Sequence, residues 1–149
     1  MKKMGLPLSL IVLLLALSVS GIDKGYSNVD KIKVPKDVSM IKVTGLTIYS
    51  ETKNRLSERK IVFEQIEEIE VLLKAIEDST PYSGPTTSEG ETHNLIITYT
   101  DTTSETIHLW LYPDRNSGRI QRKNYEGPIQ ILSKDDVQNI ARILAKKNS

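Results

Sequence analysis

Two short stretches of this sequence hold residue types that could bind a ligand or do chemistry. The first runs from Glu89 to His93 in an acid-x-acid-x-His pattern, which would place three donor side chains, those of Glu89, Glu91 and His93, on one side of an extended segment. Carboxylates and imidazoles bind divalent metals, so the 79–93 loop is a candidate metal or ligand site. Such donors also need neighbours that fix them, and the loop supplies none. A solvated loop is therefore the simpler interpretation, and we predict no metal and no cofactor.

The second stretch is the predicted strand 106–112, which carries the only tryptophan of the chain. Side chains alternate along a strand, so its aliphatic residues share one face and its ring-bearing residues share the other. The ring-bearing residues are His108, Trp110 and Tyr112. Aromatic rings bury large apolar areas, which makes this row a candidate partner-binding face. The alternative is that the rings pack under the preceding tether, under the 79–92 loop, or inside a curled sheet.

No arrangement of residues in the sequence predicts catalysis. The chain has two histidines and no cysteine, and its carboxylates are scattered over predicted helix faces and turns. No nucleophile, base and orienting group can be placed together, and no phosphate-binding loop or zinc-protease motif is present. The pattern favours a non-enzymatic protein, with no predicted catalytic residue. A small extracellular enzyme using the 79–93 loop stays an alternative.

The first 21 residues are typical of a secretory signal peptide. Lys2 and Lys3 precede an apolar run over residues 10–17, and Ser18 and Ser20 suit a cleavage site before Gly21. The alternative is an uncleaved anchor formed by residues 6–22, although spanning helices usually need about 20 apolar residues. Bacterial lipoproteins carry a cysteine directly after the cleavage site, where this chain has glycine. We therefore expect an exported protein without a lipid anchor.

Composition limits the function classes further. The full chain has 20 basic and 19 acidic residues, and loss of Lys2 and Lys3 with the signal leaves an excess of one acidic residue. A near-neutral chain gives no electrostatic basis for nucleic-acid binding. The lack of cysteine excludes disulfides, so the domain must be stabilised by packing alone. We predict a flexible tether over residues 22–38 and a single domain over residues 39–149.

Hydrophobic periodicity predicts a β-β-α-β-β-β-(β)-α order. A stripe of apolar residues at helical spacing predicts a first helix that ends near Asp78, and residues 79–92 read as a long loop. The second helix is predicted to begin after Ser133, which could cap it together with Asp136. The predicted strands cover residues 40–49, 60–63, 94–100, 105–112 and 119–125, with residues 128–132 either a short strand or an extended lead into the last helix. The expected fold class is α+β: an antiparallel sheet of about five strands with two helices packed on one face, preceded by the signal or anchor helix.

Several of these features together resemble the YhfM-like domain. They are the exported N-terminus, the strand–helix unit 60–76, the 94–112 hairpin with its His-Leu-Trp-Leu stretch, and the Ser-Lys-Asp-Asp helix start. This resemblance covers roughly residues 61–144. It implies a small exported protein of a Gram-positive, spore-forming bacterium, and it implies no activity or catalytic residue. Gly21 departs from the lipid-anchored members of that family.

The sequence therefore favours an exported, non-enzymatic binding module of the cell envelope or extracellular space. Its expected contact is the Trp110 face, and its expected partner is a protein or an envelope component. Membrane contact would come only from the N-terminal segment, if that segment is not cleaved. A membrane-anchored structural module is a further alternative.

Overall fold

The protein was analysed as a computed structural model that describes residues 31–35, 37–45 and 59–147. Those residues form one sheet of seven strands and two α-helices. The elements are β1 (Val38–Gly45), β2 (Arg59–Phe63), α1 (Ile66–Asp78), β3 (Thr80–Tyr82), β4 (His93–Tyr99), β5 (Ser104–Tyr112), β6 (Ser117–Arg122), β7 (Ile129–Ile131) and α2 (Lys134–Lys147). The predicted signal or anchor segment and most of the predicted tether lie outside the described residues.

The sheet is antiparallel throughout, with strand order β2-β1-β4-β5-β6-β7-β3. The hairpin of β4 and β5 lies at its centre, and a short 3₁₀ turn at Pro113–Arg115 joins β5 to β6. β2 and β3 are the two edge strands of this sheet. The chain must therefore cross three strands to pass from β3 to β4, and this crossing shapes one face of the sheet.

One face of the sheet carries both helices. The register pairs Leu95 with Ile107 and Leu109 with Ile120, so these buried side chains point to the same side. The buried stripes of α1 and α2 join them in one core cluster, and the helices contact each other. At Gly118, an added Cβ would lie 2.8 Å from a methyl group of Val137, which shows how closely α2 approaches β6. The predicted α+β class with an antiparallel sheet is confirmed.

The two helices begin in different ways. The predicted cap of α2 is present: Ser133 Oγ accepts a hydrogen bond from the Asp136 backbone N–H at 3.1 Å, and donates to the Asp136 carboxylate at 2.5 Å. No side chain caps α1, although Glu67 and Glu68 lie in its first turn, where the helix dipole favours negative charge. α1 ends at Asp78, as the sequence predicts.

The strand count differs from the expected five. Residues 128–132 contain the short strand β7, and the predicted 79–92 loop contains β3. β3 has only three residues, and Pro81 at its centre has no N–H for the ladder, so its sequence resembles a loop. Tertiary support comes from Ser79, which is fully buried and whose Oγ lies 2.6 Å from the Ile76 carbonyl oxygen and 2.5 Å from Oε1 of Gln130 on β7.

The end of the predicted tether contacts the domain. Ile32 and Val34 are buried in the core cluster, and Val38 begins β1. The carbonyl oxygen of Lys33 accepts a hydrogen bond from Arg122 at 3.0 Å. The segment 31–34 therefore packs as part of the folded unit.

Across the ranges 31–35, 37–45 and 59–147, no helix has both the length and the apolar character needed to span a membrane. The predicted alternative anchor, residues 6–22, lies outside these ranges.

Candidate functional site

The sheet face opposite the helices, called here the helix-free face, carries the predicted ring row. His108 pairs with Asn94 across β4 and with Gln121 across β6, and Trp110 pairs with Arg119. These side chains therefore share one face, as the alternation in the sequence predicts. Tyr99 does not join the row, because it has the same parity along β4 as Leu95 and Ile97, and so it lies on the helix-bearing face.

Residues 83–92, called here the strap, cross the helix-free face from β3 to β4. Strands lie about 4.8 Å apart, so the four strand spacings between β3 and β4 amount to roughly 19 Å. Ten extended residues can cover that distance. The strap consists of small and polar residues apart from Pro85, and it contains no helix. The strap is an irregular segment, with no helix or strand of its own, that crosses β6 and β5.

Side chains of β5 and β6 hold the middle of the strap by hydrogen bonds to Glu89 and Thr87. The indole N–H of Trp110 donates to the Glu89 carbonyl oxygen at 2.9 Å, and the Tyr112 hydroxyl donates to the Glu89 carboxylate at 3.0 Å. Arg119 donates to the Thr87 hydroxyl at 2.9 Å. Burial, followed by the bond to Glu89, raises the pKa of Tyr112 above its ordinary value. Trp110 is only 7% exposed, and its indole contacts the Glu89 carbonyl of the strap, the Arg119 guanidinium and the His108 ring.

His108 lies at the edge of this covered region. Its Nδ1 is 2.8 Å from the Asn94 side-chain oxygen and 3.4 Å from Glu91 Oε1, and its ring meets that of Trp110 edge to face. Backbone hydrogen bonding at Glu91, helped by the charge of His108, lowers the pKa of this carboxyl. The pair thus sets a carboxylate of the strap against the imidazole of His108 on β5.

The three donors of the acid-x-acid-x-His pattern do not converge. Glu89 bonds to Tyr112, Glu91 lies beside His108, and His93 is buried on the helix-bearing face with its Nδ1 2.8 Å from the Thr92 hydroxyl. His93 pairs with Leu109, which explains why it faces the core. Within the described ranges, no group of three or more His, Asp or Glu side chains is placed to hold a metal ion.

A shallow cleft of about 510 Å³ lies beside the covered tryptophan. Its floor is formed by the strand residues Arg119, Ile129 and Ile131, and its walls include Tyr82 and Pro85. Most of these walls are solvent-exposed, and Tyr82 is 39% exposed. The volume is in the range of ligand sites, but the cleft is open along the protein surface.

The sequence pattern did not indicate the role of Arg119. This residue belongs to a polar edge-like strand, and nothing in its neighbourhood along the chain suggests contact with Trp110. In the structure its guanidinium lies 4.8 Å from the centre of the indole ring, within cation–π distance, and it also lines the cleft. Arg119 lies directly opposite Trp110 on the neighbouring strand, so knowledge of the strand register would have predicted this contact.

The groups gathered on this face are suited to recognition. They comprise a guanidinium stacked on an indole, two carboxylates, an imidazole and an apolar cleft. The hydroxyl of Thr92 is already used within the sheet, since it lies 3.0 Å from the Leu109 carbonyl oxygen and accepts from the Leu111 N–H.

Comparisons with known proteins give little further information. No protein-family model matches the chain, and no curated protein matches it. Among solved structures, one described as "Putative Lipoprotein from Clostridium perfringens" is 17% identical, with a TM-score of 0.41, over 72% of this chain and 85% of that chain. A likeness this weak carries no argument about function.

Proposed function

We propose that the protein is an exported, non-enzymatic binding domain of the cell envelope or extracellular space, and that it contacts a protein partner through the cleft beside Trp110. The observation that carries this proposal is the strap. It lies across the helix-free face, buries Trp110 with few apolar atoms of its own, and leaves the cleft open next to Arg119.

The strap is also the kind of element that could adapt to a partner. Most of its residues are exposed, and between residues 83 and 91 it contacts the sheet through separate side-chain bonds, not through a strand ladder. Only Thr92, at its end, bonds to the main chain of Leu109 and Leu111. Segments with few buried apolar contacts open at low free-energy cost, and binding loops are drawn from such segments. The ring row His108, Trp110 and Tyr112 would then act from beneath the strap, by holding it in place beside the cleft.

Site-specific photo-crosslinking in the producing cell tests this proposal. A photoreactive phenylalanine analogue at position 82, which lines the cleft, should form an adduct with the partner. The matched control is position 125, because Tyr125 is similarly exposed (43%, against 39% for Tyr82) but does not line the cleft. Adducts of equal yield at both positions, or at position 125 alone, would contradict a contact at the cleft.

Export is proposed from the N-terminal pattern described above. Cleavage after Ser20 would leave Gly21 as the first residue, whereas an anchor formed by residues 6–22 would keep Met1 or Lys2. Intact-mass measurement of the protein from the culture medium and from the membrane fraction distinguishes these two forms. Recovery only from the cytoplasm would contradict export.

Membership of the YhfM-like family is likewise a proposal. Its support is the order of elements: a strand and helix over residues 59–78, a central hairpin over residues 93–112, and a capped helix after Ser133. An experimental structure of a YhfM-like domain with the strand order β2-β1-β4-β5-β6-β7-β3 would support this assignment. A different strand order would contradict it.

A further inference from the structure

Arg119 is a cation lining the cleft that forms no ion pair with a carboxylate of the described residues. Arg122 pairs with Glu105 at 2.5 Å and Arg115 with Asp114 at 3.8 Å, whereas none of the ion pairs among the described residues includes Arg119. Its Nε is buried and has no hydrogen-bond partner. An unsatisfied buried donor costs free energy, so the described residues do not satisfy this guanidinium fully.

The guanidinium is also held in position before any ligand arrives. It stacks on the indole of Trp110, and one of its nitrogens donates to Thr87 of the strap. A fixed, planar guanidinium presents parallel N–H groups that match the two oxygens of a carboxylate. The helix-free face therefore offers a preorganised anion-binding group.

The rest of the cleft is mainly apolar. Ile129 and Ile131 form its floor together with Arg119, and Pro81, Tyr82 and Pro85 border it. An apolar group bound there would place its carboxylate within reach of Arg119. Because most of the lining residues are solvent-exposed, the cleft suits a stretch of polypeptide that stays partly solvated better than a small molecule that must be enclosed.

Strand addition at β3 is a less suitable binding mode. β3 has three residues, and Pro81 at its centre has no N–H to donate. A partner would gain few main-chain hydrogen bonds along this edge. Side-chain recognition in the cleft is therefore the mode that the geometry favours.

We propose that the cleft binds a short apolar peptide segment that carries a carboxylate, and that Arg119 pairs with that carboxylate. This inference rests on the proposed function, because it names the chemistry of the partner at the same cleft. The occupant is a segment of a protein partner, and the argument for it is charge complementarity with an unpaired guanidinium at the edge of an apolar surface.

Two synthetic peptides differing in one group test the inference. They are N-acetyl-Pro-Ile-Glu-amide and its neutral isostere N-acetyl-Pro-Ile-Gln-amide, titrated into the ¹⁵N-labelled full chain purified from the fraction in which it accumulates. The Glu peptide should shift the amide resonances of Ile129 and Ile131 and the indole N–H of Trp110. The Gln peptide should bind about tenfold more weakly, since hydrogen bonds to charged groups are the stronger ones.

Variants assign the effect to Arg119. Arg119→Gln should reduce binding of the Glu peptide to the level of the Gln peptide, and Arg119→Lys should give an intermediate loss because it keeps the charge but not the planar fork. Arg115→Gln is the matched control, because it removes a nearby exposed arginine outside the cleft and should leave binding unchanged. If Arg119→Gln perturbs folding, the Lys variant and the two peptides on the wild type still decide the question.

Two outcomes would overturn the inference. Equal binding of both peptides at the cleft would exclude carboxylate recognition but would leave the cleft as a contact surface. Absence of any shift with either peptide at millimolar concentration would exclude this ligand chemistry altogether. In that case the crosslinking at position 82 would decide separately whether the cleft contacts a partner.

Discussion

Tyr99 illustrates how burial and one hydrogen bond set the behaviour of a single side chain. It lies at the end of β4 on the helix-bearing face and is packed against the core, with its hydroxyl bonded to Glu105. Burial, followed by that bond, raises the pKa of Tyr99 well above its ordinary value of 10.0. The phenol therefore remains neutral in the folded chain at pH values at which it ionises in the unfolded chain.

The pKa shift of Tyr99 predicts a loss of stability at high pH. A group whose pKa is raised on folding contributes its full stabilisation below the unfolded pKa, and that contribution declines as the pH rises above it. The denaturant midpoint should therefore fall as the pH increases above 10. Tyr99→Phe should reduce this slope, with the raised pKa of Tyr112 accounting for part of what remains. Tyr125→Phe, at an exposed position, should behave as wild type, and an unchanged slope in Tyr99→Phe would contradict the assignment.

At the residue scale, the sequence predicted which face of the sheet a side chain lies on better than it predicted what that side chain contacts. The alternation in β5 placed Ile107, Leu109 and Leu111 correctly beneath the helices and Trp110 on the opposite face. It left open whether Trp110 is exposed or lies under the 79–92 loop, and the structure shows the second, with the Glu89 backbone twenty-one residues earlier in the chain bonded to the indole. Local patterns carry no information about such a non-local contact.

At the scale of elements, the helices could be predicted from interactions between residues that are close along the chain. The end of α1 and the cap of α2 were both predictable, because periodicity and capping involve residues within a few positions of one another. β3 was not predictable, because its three residues around Pro81 are stabilised by pairing with β7 and by the buried Ser79. The helices depend on contacts between residues close along the chain, whereas β3 depends on contacts with residues far along it.

Loss of the α2 cap should destabilise the protein measurably. Ser133→Ala removes the hydroxyl that accepts the Asp136 N–H and also its bond to the Asp136 carboxylate. We expect the free energy of unfolding to fall by about 1 kcal/mol, as is typical for loss of an N-cap. Chemical denaturation monitored by circular dichroism measures this, with the exposed strand residue Ser104 changed to Ala as the control. Equal changes in the free energy of unfolding for the two substitutions would show that the cap does not stabilise the protein.

At the scale of the whole molecule, the folded unit extends further towards the N-terminus than the sequence pattern indicates. A tether was predicted up to residue 38 because apolar residues are sparse there. Two of those few, Ile32 and Val34, are nevertheless buried, and Arg122 bonds to the main chain between them. The segment 31–34 is thereby joined to the end of β6.

Removal of that bond should expose the segment to proteases. Arg122→Met loses the hydrogen bond to the Lys33 carbonyl and the ion pair with Glu105. Trypsin should then cut after Lys33 about fivefold faster, since loss of a hydrogen bond of about 1 kcal/mol raises the open population by that order. Limited digestion followed by mass spectrometry measures the rate, with Arg115→Met as the control. Equal rates in wild type and Arg122→Met would show that the segment is not held by Arg122.

The central claim of this account is that the strap lies over Trp110 and borders the cleft beside Arg119. Because Trp110 is the only tryptophan, its fluorescence and its quenching by acrylamide test the claim directly. A covered indole should give blue-shifted emission and quench several-fold more slowly than free N-acetyl-tryptophanamide. Red-shifted emission with quenching as fast as the free compound would mean that the strap does not cover Trp110 in solution, and the cleft as described would not exist.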